Sequence, residues 1–395
     1  MGCGNKTSLE RPSAAWYQYH SLRCDDMRVL FALPGLHRIH RGAEVAFESV
    51  ATELATLPGM QVTLMGSGSE LPGRRYRFER VGCLKRERFE SWPRLPLFRN
   101  ECAYEELSFA LKLLGVYACD GYDVTLTCSY PYVNWALRAV RSKRGRPPHV
   151  FVTQNGDWPA FSRNSEFRLF GCEGLIALNP ESYARNRDRW RTSLIPNGVN
   201  PEVFTPGRGP RPAFGLTSEA PVALMVSALI PSKGVVEGIH CAARVAGLQL
   251  VVVGDGPLRD AVDRVGSELM PGRFRRMTLL PGRMPEIYRC ADVVLHMSHQ
   301  ESFGNVYVEG LATGLPVVAH DSPTTRWILE DQGVLVDCSD HEAVAAGIRL
   351  ALELRSPDQQ DRRRRLAVRR FTWRAIAGQY REFLEEVSHR GARIS

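Results

Sequence analysis

The chain has 395 residues, of which 44% are hydrophobic and 24% are charged, and its formal net charge is +8. This length exceeds what one hydrophobic core usually supports, so two domains are expected, and no apolar run reaches the roughly 18 residues of a membrane-spanning helix. The ten cysteines are scattered without a CxxC pair or another metal-ligand spacing, which predicts reduced, packed thiols in a cytosolic protein.

The first 26 residues contain no apolar signal-peptide core, and Lys6 stands where a myristoylation signal has Ser or Thr. We expect residues 1–26 to form a disordered leader, with Met27 as an alternative start of the chain.

A strand-and-helix pattern begins with an apolar strand at residues 28–33 and a helix at 43–57. Strands that alternate with crossover helices form a parallel sheet covered on both faces, so residues 27–200 predict a Rossmann-like domain. Its further strands are expected at 61–65, 124–126, 150–152 and 175–178.

Prolines and glycines concentrate between residues 196 and 221, which is typical of an interdomain linker, and we place the linker at 201–220. The pattern then restarts and predicts a second Rossmann-like domain over residues 221–370. Ligands bind outside the carboxyl ends of such strands, so the expected site is the cleft between two facing sheets. The strands of this domain are expected at 222–226, 248–253, 277–280, 293–295, 316–319 and 334–336.

The end of the chain is basic and then amphipathic. The arginines at 362–365, 369 and 370 predict a solvated basic helix face, and no nucleic-acid-binding signature accompanies them, so no nucleic-acid partner is expected. Peripheral contact with the anionic inner face of a membrane stays open as an alternative. Residues 371–395 are expected to form a final helix that packs across the assembly.

The most informative segment follows the strand at 293–295. Glu301 precedes Gly304, which marks a turn from loop into helix, and Glu309 follows in the first turns of that helix. The N–H groups and positive dipole end of the helix suit a diphosphate, and carboxylates accept hydrogen bonds from sugar hydroxyls. The segment therefore predicts a sugar-nucleotide site, although an isolated pair of this kind would more simply be a loop acid and a helix-start acid.

The spacing from Glu301 to Glu309, with the residues that follow as far as Pro316, resembles the E-x7-E signature of family 4 retaining GT-B glycosyltransferases, the glycosyl transferases group 1. Lys233 with Gly234 resembles the phosphate-binding lysine motif of this family. The resemblance covers roughly residues 27–388 and implies an α/β GT-B fold, in which two Rossmann-like doubly wound parallel-sheet domains face a central cleft. Similar segments occur in the family's order at 41–44 (Arg-Gly-Ala-Glu), 195–200 and 253–257.

The resemblance also implies roles. Glu301 is expected to bind hydroxyls of the transferred sugar and Glu309 the ribose hydroxyls. Lys233 is expected to neutralise the diphosphate without a metal, and Gly42 to let the backbone approach the same phosphates. The implied donor is a UDP- or GDP-sugar, with no bound cofactor and with retention of anomeric configuration. The other implied donor-binding residues are Ser302, Phe303, Gly304 and Asn305 around the diphosphate, and Arg283 and Met284 near the base.

Two positions depart from the family pattern. Ala228 stands where an arginine usually joins the lysine, and the segment from Gln154 to Asp157 lacks a histidine expected near the reacting sugar. Asn155 can form a hydrogen bond there, and Asp157 is either an acceptor-side base or a helix cap. These departures leave a sugar-nucleotide-binding protein of the same fold with impaired catalysis as an alternative.

A two-domain nucleotide-dependent dehydrogenase would share the same pattern of strands and helices. Its phosphate loop needs G-x-G-x-x-G, but Leu71 and Arg259 stand where the third glycine would follow the two candidate turns. His296, at a strand end, is either a core histidine or a residue that contacts the donor beside the loop that contains Glu301. The acceptor is undefined, and the basic, aromatic stretch at 74–99 permits a lipid-linked or anionic one.

Overall fold

The computed structural model describes residues 26–89, 92, 93, 95, 98, 101–143, 145–154, 170–217 and 219–391. The leader expected at residues 1–26 therefore lies outside the described residues, except for Asp26. The described chain forms two parallel sheets, one of seven strands and one of six.

The first sheet has the strand order β3-β2-β1-β4-β5-β6-β7, which is a Rossmann order extended by one strand. Its central strands agree with the sequence prediction, whereas the two edge strands, β3 and β7, were missed because they are short and only partly buried. The strands are β1 (Met27–Ala32), β2 (Met60–Gly66), β3 (Arg77–Arg80), β4 (Val124–Thr127), β5 (His149–Val152), β6 (Gly174–Ala177) and β7 (Thr192–Leu194), and the described helices are α1 (Gly42–Leu54), α2 (Glu101–Leu113), α3 (Pro131–Ala139) and α4 (Pro180–Asn186).

The second sheet has the order β10-β9-β8-β11-β12-β13. Its strands are β8 (Val222–Val226), β9 (Gln249–Val253), β10 (Phe274–Met277), β11 (Val293–His296), β12 (Val317–His320) and β13 (Gly333–Val336). Its helices are α5 (Val235–Ala243), α6 (Arg259–Leu269), α7 (Met284–Cys290), α8 (Asn305–Ala312), α9 (Pro323–Leu329), α10 (His341–Glu353) and α11 (Pro357–Arg370).

The strand expected at 277–280 was placed wrongly. The actual strand, β10, is an edge strand that pairs only with β9, and it carries Arg275 and Arg276. The guanidinium of Arg276 donates to Asp263 on α6, with Nε to Oδ1 at 2.6 Å. An edge strand tolerates charged side chains that a buried strand excludes, so the apolar pattern pointed to the wrong residues.

The last helix, α12 (Trp373–Gly391), returns to the first sheet and packs against α1. Tyr380, Phe383 and Leu384 are buried there. The N–H of Val199 donates to the carbonyl of Phe371 at 2.6 Å, which fixes the point where the chain crosses back. Neither α12 nor any other helix of the described residues has the length and apolar character needed to cross a membrane.

The basic run is not wholly solvated, contrary to the sequence prediction. Arg363 is 3% exposed and donates to the carbonyls of Gly314 and Leu354, and burial lowers its pKa to about 10. Arg364 donates to the carbonyl of Ala312, the last residue of α8. These two arginines satisfy carbonyl groups at or just after the carboxyl ends of helices, which otherwise have no intrahelical donor.

Candidate active site

A cavity of about 910 Å³ lies between the two sheets. Pro34 follows β1, Ser227 follows β8, and the loop from Gln300 to Gly304 comes after β11, and all of these line the cavity. The cavity is therefore at the carboxyl ends of the strands, where doubly wound sheets bind ligands.

The wall on the side of the second sheet is built around the start of α8. Gly304 precedes the helix with φ at 86°, and no side chain caps the helix, so its first N–H groups have no side-chain acceptor. The carbonyl of Ser302 accepts a hydrogen bond from the Nδ2 of Asn179 at 2.7 Å, and the ring of Phe303 is buried. These contacts fix the loop that leads into the helix and leave a positive helix end beside the cavity.

Glu301 lies at the centre of a charged cluster. Its Oε1 accepts hydrogen bonds from Lys233 Nζ and, at 2.7 Å, from His296 Nε2. Burial alone would raise the pKa of Glu301, but the hydrogen bond and charge of His296, together with Lys233, outweigh it and lower the pKa to about 2. The structure thus brings Lys233 and Glu301, which the sequence indicated separately, into direct contact, and it adds His296 as a partner of Glu301.

Glu309 lies within α8 and also lines the cavity. The hydroxyl of Tyr288 on α7 donates to its Oε2 at 2.5 Å. Burial raises the pKa of Glu309, and the hydrogen bond from Tyr288 opposes this effect. The sequence indicated Glu309 but not Tyr288, because the two residues are 21 positions apart and come together only in the folded chain.

Polar side chains from both domains meet at the first residue of α8. The Nδ2 of Asn197 donates to Asn305 Oδ1 at 3.1 Å, and Asn197 and Gln154 exchange two hydrogen bonds of 2.7 and 3.0 Å. A Cβ atom at Gly42 would lie 3.8 Å from Asn305 Nδ2, so Gly42 faces the same point from α1. The sequence did not predict the series of hydrogen bonds that connects Gln154, Asn197 and Asn305, because the three side chains come from separate segments.

The remaining predicted residues separate into three groups. Met284 and Ala228 line the cavity. Arg283 does not, because its guanidinium pairs with Glu286 at 2.9 Å and lies over the ring of Phe214 at 4.7 Å. Asn155 and Asp157 lie outside the described residues.

The wall on the side of the first sheet carries carboxyl groups that the sequence did not single out. Glu44 and Glu106 are 7% and 3% exposed, and burial raises the pKa of both. Glu106 Oε2 accepts the N–H of Tyr130 at 3.0 Å, next to Ser129, whose φ is 111°. A positive φ outside glycine is a strained conformation that is held by its surroundings, and here it borders the cavity.

The names of proteins that are similar to this chain in sequence agree with the arrangement of the site. Residues 211–369 match the family model described as Glycosyl transferases group 1. The D-inositol 3-phosphate glycosyltransferase of Mycolicibacterium smegmatis is 36% identical over 146 residues, which are 34% of this chain and 33% of that protein. The protein of the same name from Mycobacterium tuberculosis is 35% identical over 324 residues, 74% of this chain and 63% of the other. The lipopolysaccharide core biosynthesis glycosyltransferase LpsE of Rhizobium meliloti is 27% identical over 315 residues, 78% and 84% of the two chains.

The chain spans about a third of the length of the first of these relatives. Among solved structures, sucrose-phosphate synthase from Thermosynechococcus elongatus has a TM-score of 0.73 at 19% identity, covering 91% of this chain and 99% of its own. HepE of Anabaena in complex with UDP-glucose has a TM-score of 0.72 at 19% identity, covering 91% and 100%. These likenesses confirm the predicted GT-B fold.

Proposed function

Since residues 211–369 match the family model of the glycosyl transferases group 1, we propose that the chain transfers a sugar from a nucleoside-diphosphate sugar to an acceptor hydroxyl. The observation that carries this proposal is the arrangement of Lys233, Glu301 and Glu309 around the start of α8 in one cavity. A diphosphate suits Lys233 and the helix end, while the two carboxylates suit hydroxyls of the sugar and the ribose.

The nucleotide is proposed to be UDP. HepE, which shares the fold, was solved with UDP-glucose, and this supports a uridine nucleotide without settling the sugar. The acceptor is proposed to bind on the wall formed by the first sheet, where Glu44 and Arg86 line the cavity. Peripheral membrane contact is a separate proposal, and binding of the acceptor to this wall does not depend on it.

The proposed reaction breaks the bond between the anomeric carbon and the diphosphate oxygen. The acceptor oxygen forms the new bond to that carbon, the electron pair of the broken bond goes to the diphosphate, and the acceptor proton follows it. Lys233 and the N-terminus of α8 stabilise the charge that develops on the leaving group, which is the electrostatic part of the catalysis. Retention of configuration and independence from a metal ion are part of this proposal, on the strength of the family resemblance.

Donor turnover tests the proposal. The protein is incubated with UDP-glucose and other nucleoside-diphosphate sugars, with and without EDTA, and release of the nucleoside diphosphate is measured. We expect slow hydrolysis of one donor that EDTA does not change, and a loss of at least about tenfold in Glu301→Gln. Glu342→Gln is the matched control, because Glu342 pairs with Arg244 on the surface, away from the cavity.

Once an acceptor is found, the anomeric configuration of the product, determined by NMR, tests retention. Inversion would contradict the proposed stereochemistry but leave the transfer itself standing. Binding of a nucleotide without turnover of any donor would favour the alternative of a sugar-nucleotide-binding protein.

A further inference from the structure

The cations that line the cavity differ in how they are already paired. Lys233 pairs with Glu301, and Arg86 pairs with Glu105 at 3.2 Å. The side chain of Arg41 makes no hydrogen bond or ion pair with any residue in the described part of the chain, although Arg41 lines the same cavity. A nucleoside diphosphate carries more than one negative charge, so a single lysine that also serves a carboxylate leaves part of that charge unbalanced.

Arg41 lies beside a point where the first domain approaches the start of α8. It is the N-cap residue of α1, with an extended backbone (φ −105°, ψ 168°), and no side chain caps this helix. The adjacent Gly42 faces Asn305 Nδ2, at 3.8 Å from a Cβ built on the glycine. The starts of α1 and α8 therefore face each other across the cavity, and both helix ends favour an anion between them.

Among the residues that the structure describes, the opposite wall has no second cation at the position of Ala228. Ala228 follows β8, is exposed, and lines the cavity close in sequence to Lys233. Its methyl group leaves room there but supplies no charge. Among the described residues that line the cavity, the unpaired guanidinium thus comes from the first domain and not from the second.

Glu44 is the competing partner of Arg41. Burial raises the pKa of Glu44 and the charge of Arg41 is the main opposing effect, so the two groups interact through space. They form no ion pair within 4.0 Å, and the Glu44 carboxylate packs against Gly35. The charge of Arg41 therefore stays available to a ligand in the cavity.

We propose that Arg41 is the second cation on the diphosphate of the donor, supplied by the first domain in place of a side chain at Ala228. This inference rests on the proposed function, because it assumes a nucleoside-diphosphate donor. It implies that the diphosphate of the donor is held by groups from both domains.

The test compares UDP, UMP and uridine by calorimetry in the full chain, or the guanosine series if GDP is the nucleotide that binds. Arg41→Ala should weaken UDP binding by about tenfold or more, as expected for a lost charge-assisted hydrogen bond, while uridine binding stays unchanged. Arg41→Lys should keep most of the affinity. Arg74→Ala is the control, because Arg74 pairs with Glu48 outside the cavity.

A second experiment moves the guanidinium from position 41 to position 228 and decides whether the two positions serve the same phosphates. Ala228→Arg should restore UDP affinity in the Arg41→Ala background and should improve the wild type much less, since the two guanidinium groups would serve the same phosphates. Unchanged UDP affinity in a folded Arg41→Ala variant, or an equal gain from Ala228→Arg in both backgrounds, would overturn the inference. Failure of the wild type to bind any nucleoside diphosphate would instead contradict the proposed function.

Discussion

Glu301 is surrounded by cationic or hydrogen-bonding partners, and this sets its charge in the folded protein. Lys233 and His296 both contact its Oε1, and its side chain is 13% exposed. The donor sugar would therefore meet an ionised carboxylate whose position is already fixed. Lys233 holds Glu301, and under the proposed function it would also contact the diphosphate.

Glu301→Gln should destabilise the protein at neutral pH, by about 2 kcal/mol. The pKa of Glu301 falls from an ordinary value near 4.5 to about 2 in the folded state, so its contribution is present above the ordinary value and is lost as the pH falls toward 2. Denaturant unfolding at pH 7 and at pH 3.5 measures the difference between wild type and variant. A difference that stays constant or grows toward acid pH would show that the low pKa does not contribute to stability.

The sequence indicated individual site residues but not the side chains that contact them. The spacing of Glu301 and Glu309 follows from a loop and a helix within one segment, so it could be recognised directly. The contacts of Glu309 with Tyr288 and of Glu301 with Lys233 join side chains 21 and 68 residues apart. Such pairs depend on how strands and helices are arranged in the sheet, which a local pattern does not contain.

Helix α8 forms part of the proposed donor site, and Gly304 determines how the helix begins. The left-handed backbone of Gly304 turns the chain from the loop into the helix. A Cβ atom at this position would overlap the ring of Tyr307. The glycine therefore serves both the backbone conformation and the close approach of an aromatic ring.

Gly304→Ala should lower both stability and donor affinity. The strained φ and the overlap with Tyr307 together are expected to cost about 2 kcal/mol or more, and the shifted loop should weaken nucleotide binding. Thermal unfolding and calorimetry with UDP measure the two effects. Gly282→Ala is the control, because a Cβ atom there meets nothing within 4 Å. Equal effects of the two substitutions would contradict the role given to Gly304.

Prediction of elements succeeded where strands are buried on both faces. The central strands β1, β8 and β11 are apolar throughout most of their length, so they stand out in the sequence. The edge strand β10 has charged residues and was misplaced. Arg363 was assigned to a solvated face although it is buried, because nothing in its own helix shows which carbonyl groups it satisfies.

Across the whole molecule, the two domains are joined by polar contacts at the cavity and by α12, which packs against α1. Asn197 forms hydrogen bonds both with Gln154, which follows β5 of the first sheet, and with Asn305 at the start of α8. Thr324 on α9 donates to Glu181 on α4 at 3.1 Å, a second contact between the domains. The sequence predicted two domains and a cleft, but it could not predict which side chains connect them.

Asn197→Ala should weaken donor binding several-fold and lower the free energy of unfolding by about 1–3 kcal/mol. The substitution leaves the amide of the buried Gln154 without its partner and releases Asn305 at the helix start. Asn200→Ala provides a comparison, because Asn200 bonds only to the nearby N–H of Glu202 among its described side-chain contacts. A variant with unchanged UDP affinity would show that the interdomain network has no part in forming the donor site.

The cavity between the sheets is proposed to bind a nucleoside diphosphate, and nucleotide-induced stabilisation measures this binding most directly. A ligand that binds only the folded state raises the melting temperature, so the protein is screened against UDP, GDP, ADP, TDP and CDP and their sugar conjugates. We predict a clear increase with UDP that is lost in folded Lys233→Ala and Glu309→Ala variants. No increase with any nucleotide at millimolar concentration, or an increase that both variants retain, would contradict the claim.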